Sequence, residues 1–352
     1  MRARVVFIIS ALAILLISLW WRSVSIRSST SNSTSGAIAS TLPATMPAPA
    51  SADFGPTKVK AHNLLLRKGP NFRVYIRWLR GELVRTRREI DPSFDDPESF
   101  FINVRTGVLR ANIGDLNQYL NTIQNSPIRN VALSGDGNQF KLKATVHKII
   151  PLPVELTGTI MAAPDNRIQM HIAKINVLRV PLKGLLGRMN VTPEGLFRSN
   201  GAPGVTVSGD DIFLDTQKLL PPPHLRGQLT AVRIVNPDLE ETYGNAENAV
   251  TEFEQWRNFL QLSGGTIDFG KLTMRHVDLI MIDISNDAWF DLDLAHYQEQ
   301  LVNGYTHMTP EAGLQIFMPD LDELPHTKAN QRISMEWLKN RNAPPPADVA
   351  AK

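Results

Sequence analysis

The stretch KLKATVHKIIPLPVELTGTIMAAPDNRIQMHIAKINVLRVPLKGLLGRMNV, from Lys141 to Val191, carries the decision about fold. It starts with strict alternation. Leu142, Ala144 and Val146 fall on one side of an extended chain, and Lys141, Lys143, Thr145 and His147 on the other. Val154, Leu156 and Ile160 repeat the pattern. Pro164–Arg167 (PDNR) then supplies turn residues, and Ile168, Met170 and Ile172 resume the alternation. The reading is a set of antiparallel strands, each apolar on one face. At Pro181 the period changes. Proline suits a first helical position, and Leu182, Leu185, Leu186 and Met189 form a helical stripe. A sheet with one apolar face has to bury it, and a helix of that length covers only part.

Working outward, TGVLRANIGDLNQYLNTI predicts a strand followed by a helix. Asp115 stands as its cap, and Leu116, Tyr119, Leu120 and Ile123 make its apolar stripe. DIFLDTQKLLPPPHLRGQLTAVRI predicts a strand, a stop at Pro221–Pro223 and another strand. Leu262–Ser285, LSGGTIDFGKLTMRHVDLIMIDIS, predicts two strands about a hairpin turn at Gly264–Gly265. The segment RKGPNFRVYIRWLRGELVRTRR, residues 67–88, holds eight cations against one acid, with Phe72, Tyr75, Ile76 and Leu79 at helical spacing. It is either a solvated basic face or, through Arg73, Arg77, Arg80 and Arg85, a contact for anionic lipid headgroups.

The N-terminus reads MRARVVFIISALAILLISLWWRS. The apolar run Val5–Trp21, at about 1.5 Å per residue, reaches roughly 26 Å, enough for a bilayer core. Trp20, Trp21 and Arg22 follow as interfacial anchors. Residues 1–22 are therefore expected to be a transmembrane signal anchor, with a cleaved signal peptide as the alternative. The Ser/Thr/Pro/Ala-rich stretch 23–57 is expected to be a disordered linker, and 342–352 a disordered tail. Between them lie an expected β-rich domain, 58–236, and a C-terminal β-rich region, 237–341.

The 352 residues contain no cysteine, which excludes disulfides, thiol catalysis and Cys-ligated metals. A net charge of +3 gives no case for nucleic acid. No P-loop, GxSxG, GxGxxG or HExxH motif occurs. The most catalytic-looking patch is DISNDAWFDLDLAHYQEQ, which gathers Asp283, Asp287, Asp291, Asp293, His296 and Glu299. Such groups bind hard cations or act as acid and base. The spacing fits no EF-hand, and Asp291 and Asp293 at i and i+2 suit a solvated strand edge. No metal, cofactor or catalytic residue is assigned.

In order and spacing, LRANIGDLNQYLN, LKATVHKIIPLPVELTGTIMAAPDNRI, VLRVPLKGLLGRMNV and DDIFLDTQKLLPPPHLRGQLTAVRI resemble DUF2993-like bacterial envelope proteins with a TULIP-type (tubular lipid-binding) domain, over Thr106–Val235. After residue 257 the strands have a weaker AsmA-like flavour. The resemblance implies an α+β fold, a curved antiparallel sheet wrapped around amphipathic helices. It also implies a single-pass protein of the bacterial inner membrane, held by residues 5–21, with the bulk of the chain periplasmic. The expected function is binding and shuttling of a lipid or lipid-linked envelope component. The expected groove is Leu142, Val146, Leu156, Ile160, Met170, Ile172, Leu182, Leu185, Leu186 and Met189. Two alternatives stay open: a non-catalytic scaffolding protein of the envelope, and a metal-dependent hydrolase using the 283–299 patch.

Overall fold

Among the described residues, the apolar face of Lys141–Val177 is buried mainly by a second sheet. A computed structural model describes residues 55–68, 72–123, 128–147, 151–177, 192–193, 204–246, 256–270, 272–285 and 288–320. The smaller sheet is antiparallel throughout. Its strands, in spatial order, are β4 (Ile128–Asp136), β5 (Gln139–His147), β6 (Pro151–Ala163), β7 (Arg167–Val177), β9 (Asp211–Asp215) and β8 (Val205–Ser208). Asp165 and Asn166, with φ of 62° and 56°, close the β6–β7 hairpin where the sequence places a turn. Asp and Asn tolerate the positive φ that so tight a loop requires.

The larger sheet has 11 strands. Its main path runs β11 (Leu229–Val235), β12 (Asp238–Tyr243), β3 (Phe100–Asn112), β2 (Arg73–Arg85), β1 (Thr57–Arg67), β13 (Phe259–Phe269), β14 (Leu272–Asp283), β17 (Leu314–Met318) and β16 (Tyr305–Met308). Two short strands join it in parallel, β10 (His224–Gly227) on β3 and β15 (Phe290–Asp293) on β1. One continuous buried cluster spans both sheets, from Val59, Leu79 and Leu262 through Val232, Ile234 and Leu239 to Val154, Leu156 and Ile160. The sheets meet where Gly137 and Ile234 exchange backbone bonds of 2.9 and 2.7 Å. A Cβ on Gly135 would come within 2.5 Å of the Ile234 side chain.

The expected α+β class is therefore corrected. The described residues are 66% strand and 10% helix, in two sheets with no closed barrel. Helices are short: α1 (Ile113–Thr122), α2 (Thr216–Leu219) and α3 (Tyr297–Asn303). Strand faces cover strand faces here, because the long inner strands on each side leave matching apolar surfaces. The stripe Leu182, Leu185, Leu186 and Met189 lies outside the described residues, as do the expected anchor 1–22 and tail 342–352. Among the described residues no helix is long and apolar enough to cross a membrane. The described residues, between 55 and 320, belong to one compact unit. The expected boundary at 236/237 falls in the turn between β11 and β12, which pair along their length. Thr57, placed at the end of the linker, is the first residue of β1 and is buried.

Three local expectations also change. Residues 73–85 form a strand although Phe72, Tyr75, Ile76 and Leu79 read as helical. Register irregularities between Ile76 and Trp78 and between Arg80 and Gly81 shift the inward side from Val74 and Ile76 to Leu79 and Leu83. A bulge inserted into a period of two leaves spacings of three and four. Gly264 and Gly265 are not a turn but a bend within β13, passing close to Thr57, and the turn falls at Gly270. The cap of α1 is Asn112, whose side-chain oxygen accepts from Gly114 and Asp115 N–H at 2.9 and 3.3 Å. Asp115 instead holds Arg73 at 2.9 Å.

Candidate functional site

Five of the six described groove residues, Val146, Leu156, Ile160, Met170 and Ile172, are buried at 5% exposure or less. They share the inward face of β5–β7, as the alternation predicts, with Leu142 opposite Leu156 and Ile160 opposite Met170. All six pack in or against the common core, and none of them lines any of the three cavities described below.

The first cavity is an apolar void of about 20 Å³ between β1, β2 and β13, bounded by Val59, Leu64, Leu79 and Leu262. That volume is about one water molecule. The second is a chamber of about 30 Å³ whose wall includes Lys68, Phe72, Arg110, His224, Glu241 and Tyr243. The third is an open cleft of about 530 Å³, within the usual size of a small-molecule site.

The cleft is assembled from four separate pieces of chain. The end of β1 contributes Arg67 and Lys68, the β2–β3 loop Asp95 and Pro97, and the turn after α2 Pro221 and Pro222. The turn into α3 adds Leu294, Ala295, His296, Tyr297, Gln298 and Glu299. The β2–β3 loop is held by Ser99 Oγ, which accepts from Ser93 N–H at 2.8 Å and donates to Asp96 O at 2.6 Å. It is pinned to the core by Phe94, in ring contact with Phe100, Phe269 and Tyr297. Tyr297 Oη donates to Asp95 Oδ1 at 2.7 Å, and Gln298 Nε2 donates to the same oxygen at 2.8 Å. Burial, then the bond to Asp95, pushes the Tyr297 hydroxyl up to about 12, so it stays protonated as a donor.

Behind this wall the acidic patch has a structural task. Asp291 and Asp293 are not on a solvated edge. They are 5% and 8% exposed, on a strand paired with β1. Arg67 Nε reaches both Asp291 oxygens, at 2.8 and 3.0 Å, and Arg67 Nη2 also bonds Asp291. Asp293 accepts from Ala295 N–H at 2.8 Å and faces His296 Nδ1 at 3.0 Å. Asp283 accepts from Asn258 Nδ2 at 3.0 Å and Ser285 N–H at 2.7 Å. Gln300, fully buried, ties Asp291 O and Pro319 O to Asp293 N–H. A buried carboxylate costs little once such donors surround it. Asp287 lies outside the described residues. Among the described residues no group of three His, Asp or Glu side chains is placed to hold a metal ion. Among the described residues the cleft wall carries no serine, threonine or cysteine beside His296–Asp293.

The four predicted surface arginines all lie on β2. Arg73 pairs with Asp115 and Arg85 with Asp91, while Arg77 is exposed on β2 and Arg80 is half-buried. Lys68 escaped the sequence reading. It is 2% exposed, and burial lowers its amine to about 7 against the opposing pull of Glu241. In the sequence it is one cation among eight; the only signal was its place directly before the turn-forming Gly69–Pro70.

Fold and site together define a two-sheet β protein with a closed-packed interior and one described polar cleft at the end of β1. Compared with protein-family models, with curated proteins and with solved structures, the chain matches nothing.

Proposed function

We propose that this is a membrane-tethered, extracytoplasmic binding protein, and that the cleft receives the polar part of a lipid or lipid-linked envelope component. The observation that carries the reading is the contrast of volumes, about 20 Å³ among the apolar core side chains against about 530 Å³ in the cleft. The walls offer fixed hydrogen-bonding groups on Tyr297, Gln298, Asp95 and His296, beside apolar Leu294, Ala295, Pro97 and the prolines at 221 and 222. A few convergent polar groups set among apolar ones suit a ligand with a polar head and a hydrocarbon stem. The tether is the contribution of the sequence run Val5–Trp21.

Native mass spectrometry of the full-length protein in detergent, with and without Ala295→Trp, tests it. A co-purifying amphiphile in the parent, lost when the indole fills the cleft, is the expected result. An equal load in both proteins, or none in either, refutes it. A second reading, an envelope scaffold without a ligand, is favoured by the packing of Leu156, Ile160 and Met170 into the common core.

A further inference from the structure

Lys68 stands where two cavities meet. It lines both the open cleft and the inner chamber. Its backbone is fixed by Lys68 N–H bonding to Phe72 O at 2.7 Å, and its Nζ lies 6.0 Å from the Phe72 ring centroid. The lysine is 2% exposed and makes no side-chain hydrogen bond or ion pair with another described residue. The carboxylate that shares its chamber, Glu241, is engaged by Tyr243 Oη at 2.7 Å. His224 Nδ1 in the same wall is buried with no hydrogen-bond partner among the described residues. A buried, unpaired amine beside an accessible cleft has the setting of a nucleophilic lysine.

We propose that Lys68 is a covalent capture site for a small carbonyl compound, an aldehyde or ketone, that enters through the cleft. This goes beyond the binding reading and does not depend on it, since it needs the cleft only as a route. The Nζ lone pair forms a C–N bond to the carbonyl carbon, the carbonyl π bond opens to an alkoxide, and one of the two protons on the now cationic nitrogen passes to that oxygen to give the neutral carbinolamine. The carbinolamine then loses its hydroxyl as water, with the proton supplied by Glu241. The iminium returns a proton to Glu241, leaving a neutral imine. Both amine hydrogens depart with the carbonyl oxygen, so no oxidant or reductant enters.

Burial drives the supporting chemistry. With the Lys68 amine near 7, about half of it is neutral at pH 7, against about one part in three thousand for an ordinary lysine. The groups facing it are Glu241 and Tyr243 on β12, His224 on β10 and Arg110 on β3, with Arg67, Asp95, His296 and Glu299 across the cleft. Burial raises Glu241 above its ordinary range, which favours the protonated form that the dehydration step uses.

The test uses the full-length protein in detergent, glycolaldehyde as the probe, and cyanoborohydride to trap imines. Modified lysines are mapped by mass spectrometry from about pH 5 to pH 10. At pH 7, Lys68 should be labelled at least about tenfold faster than the exposed Lys60 and Lys141. Its labelling should be half-maximal near pH 7 and level above pH 8, while the exposed lysines keep rising. In concentrated urea the preference should vanish. The proposal is overturned if Lys68 stays unlabelled while Lys60 and Lys141 react, as for a structural lysine solvated by one buried water. It is also overturned if Lys68 follows the pH dependence of the exposed lysines.

Discussion

Replacing Lys68 with methionine should make the protein more stable at neutral pH and flatten its dependence on pH. The amine drops from 10.5 to about 7 on folding because burial strips its ammonium of water. Between those values the unfolded chain binds more protons than the folded one, so stability rises with pH. The slope is about 1.4 kcal/mol per pH unit, and the full span is worth about 5 kcal/mol. Below pH 7 the whole penalty is present; above about pH 10.5 it is gone. Glu241 runs the opposite way. Burial raises it, so stability falls as pH climbs above its ordinary range. Methionine keeps the length of the stem and removes only the Lys68 contribution. Some of the gain is forfeited because Glu241 loses a cationic neighbour, leaving about 2–4 kcal/mol at pH 7. Urea unfolding of parent and Lys68→Met at pH 7, 8 and 9, followed by tryptophan fluorescence, measures it. Parallel pH slopes, or a variant less stable than the parent at pH 7, would refute the claim that the ammonium is desolvated.

Two further outcomes follow from the hydrogen-bond pattern. Asn117 and Asn121 of α1 each bond a β4 residue from both ends of the amide, Asn117 to Leu133 at 2.7 and 3.2 Å and Asn121 to Val131 at 2.8 and 2.9 Å. They stand in for a neighbouring strand on the outer edge of the small sheet. Asn117→Ala should cost about 1–3 kcal/mol in urea unfolding, and the double alanine variant should self-associate through the bared edge in sedimentation. Asp291→Asn should cost about 2–4 kcal/mol by leaving Arg67 half-paired; metal content, read by mass spectrometry, should be the same in both proteins. A loss of bound metal without a loss of stability would favour the hydrolase alternative.

Much of the small sheet was legible. Val146, Leu156, Ile160, Met170 and Ile172 do share one buried face, with Leu142 partly buried beside them, and the PDNR turn closes the hairpin expected of it. Period-two alternation is a local property, imposed by pleating alone. The basic segment misled because its apolar positions were displaced by bulges, and a bulge is set by pairing with β3, not by the strand's own residues. Gly264–Gly265 misled for a related reason: two glycines mark a bend equally well where another strand passes close. The 283–299 patch stood out in the sequence, but the cleft it helps to line did not. Its walls come from residues 67–68, 95–97, 221–222 and 294–299, and no short window contains them.

The sequence by itself determined the alternating strands, the turn within Pro164–Arg167, the stop at Pro221–Pro223, a strand-then-helix step within Thr106–Ile123, and the absence of thiol chemistry. Only the tertiary structure decided what covers the apolar face, which carboxylates are buried, and that Lys68 loses its water. The reason is physical. Pleat, turn and cap depend on neighbours a few residues away, whereas desolvation depends on which distant segments close over a group, as residues beyond 220 do over Lys68.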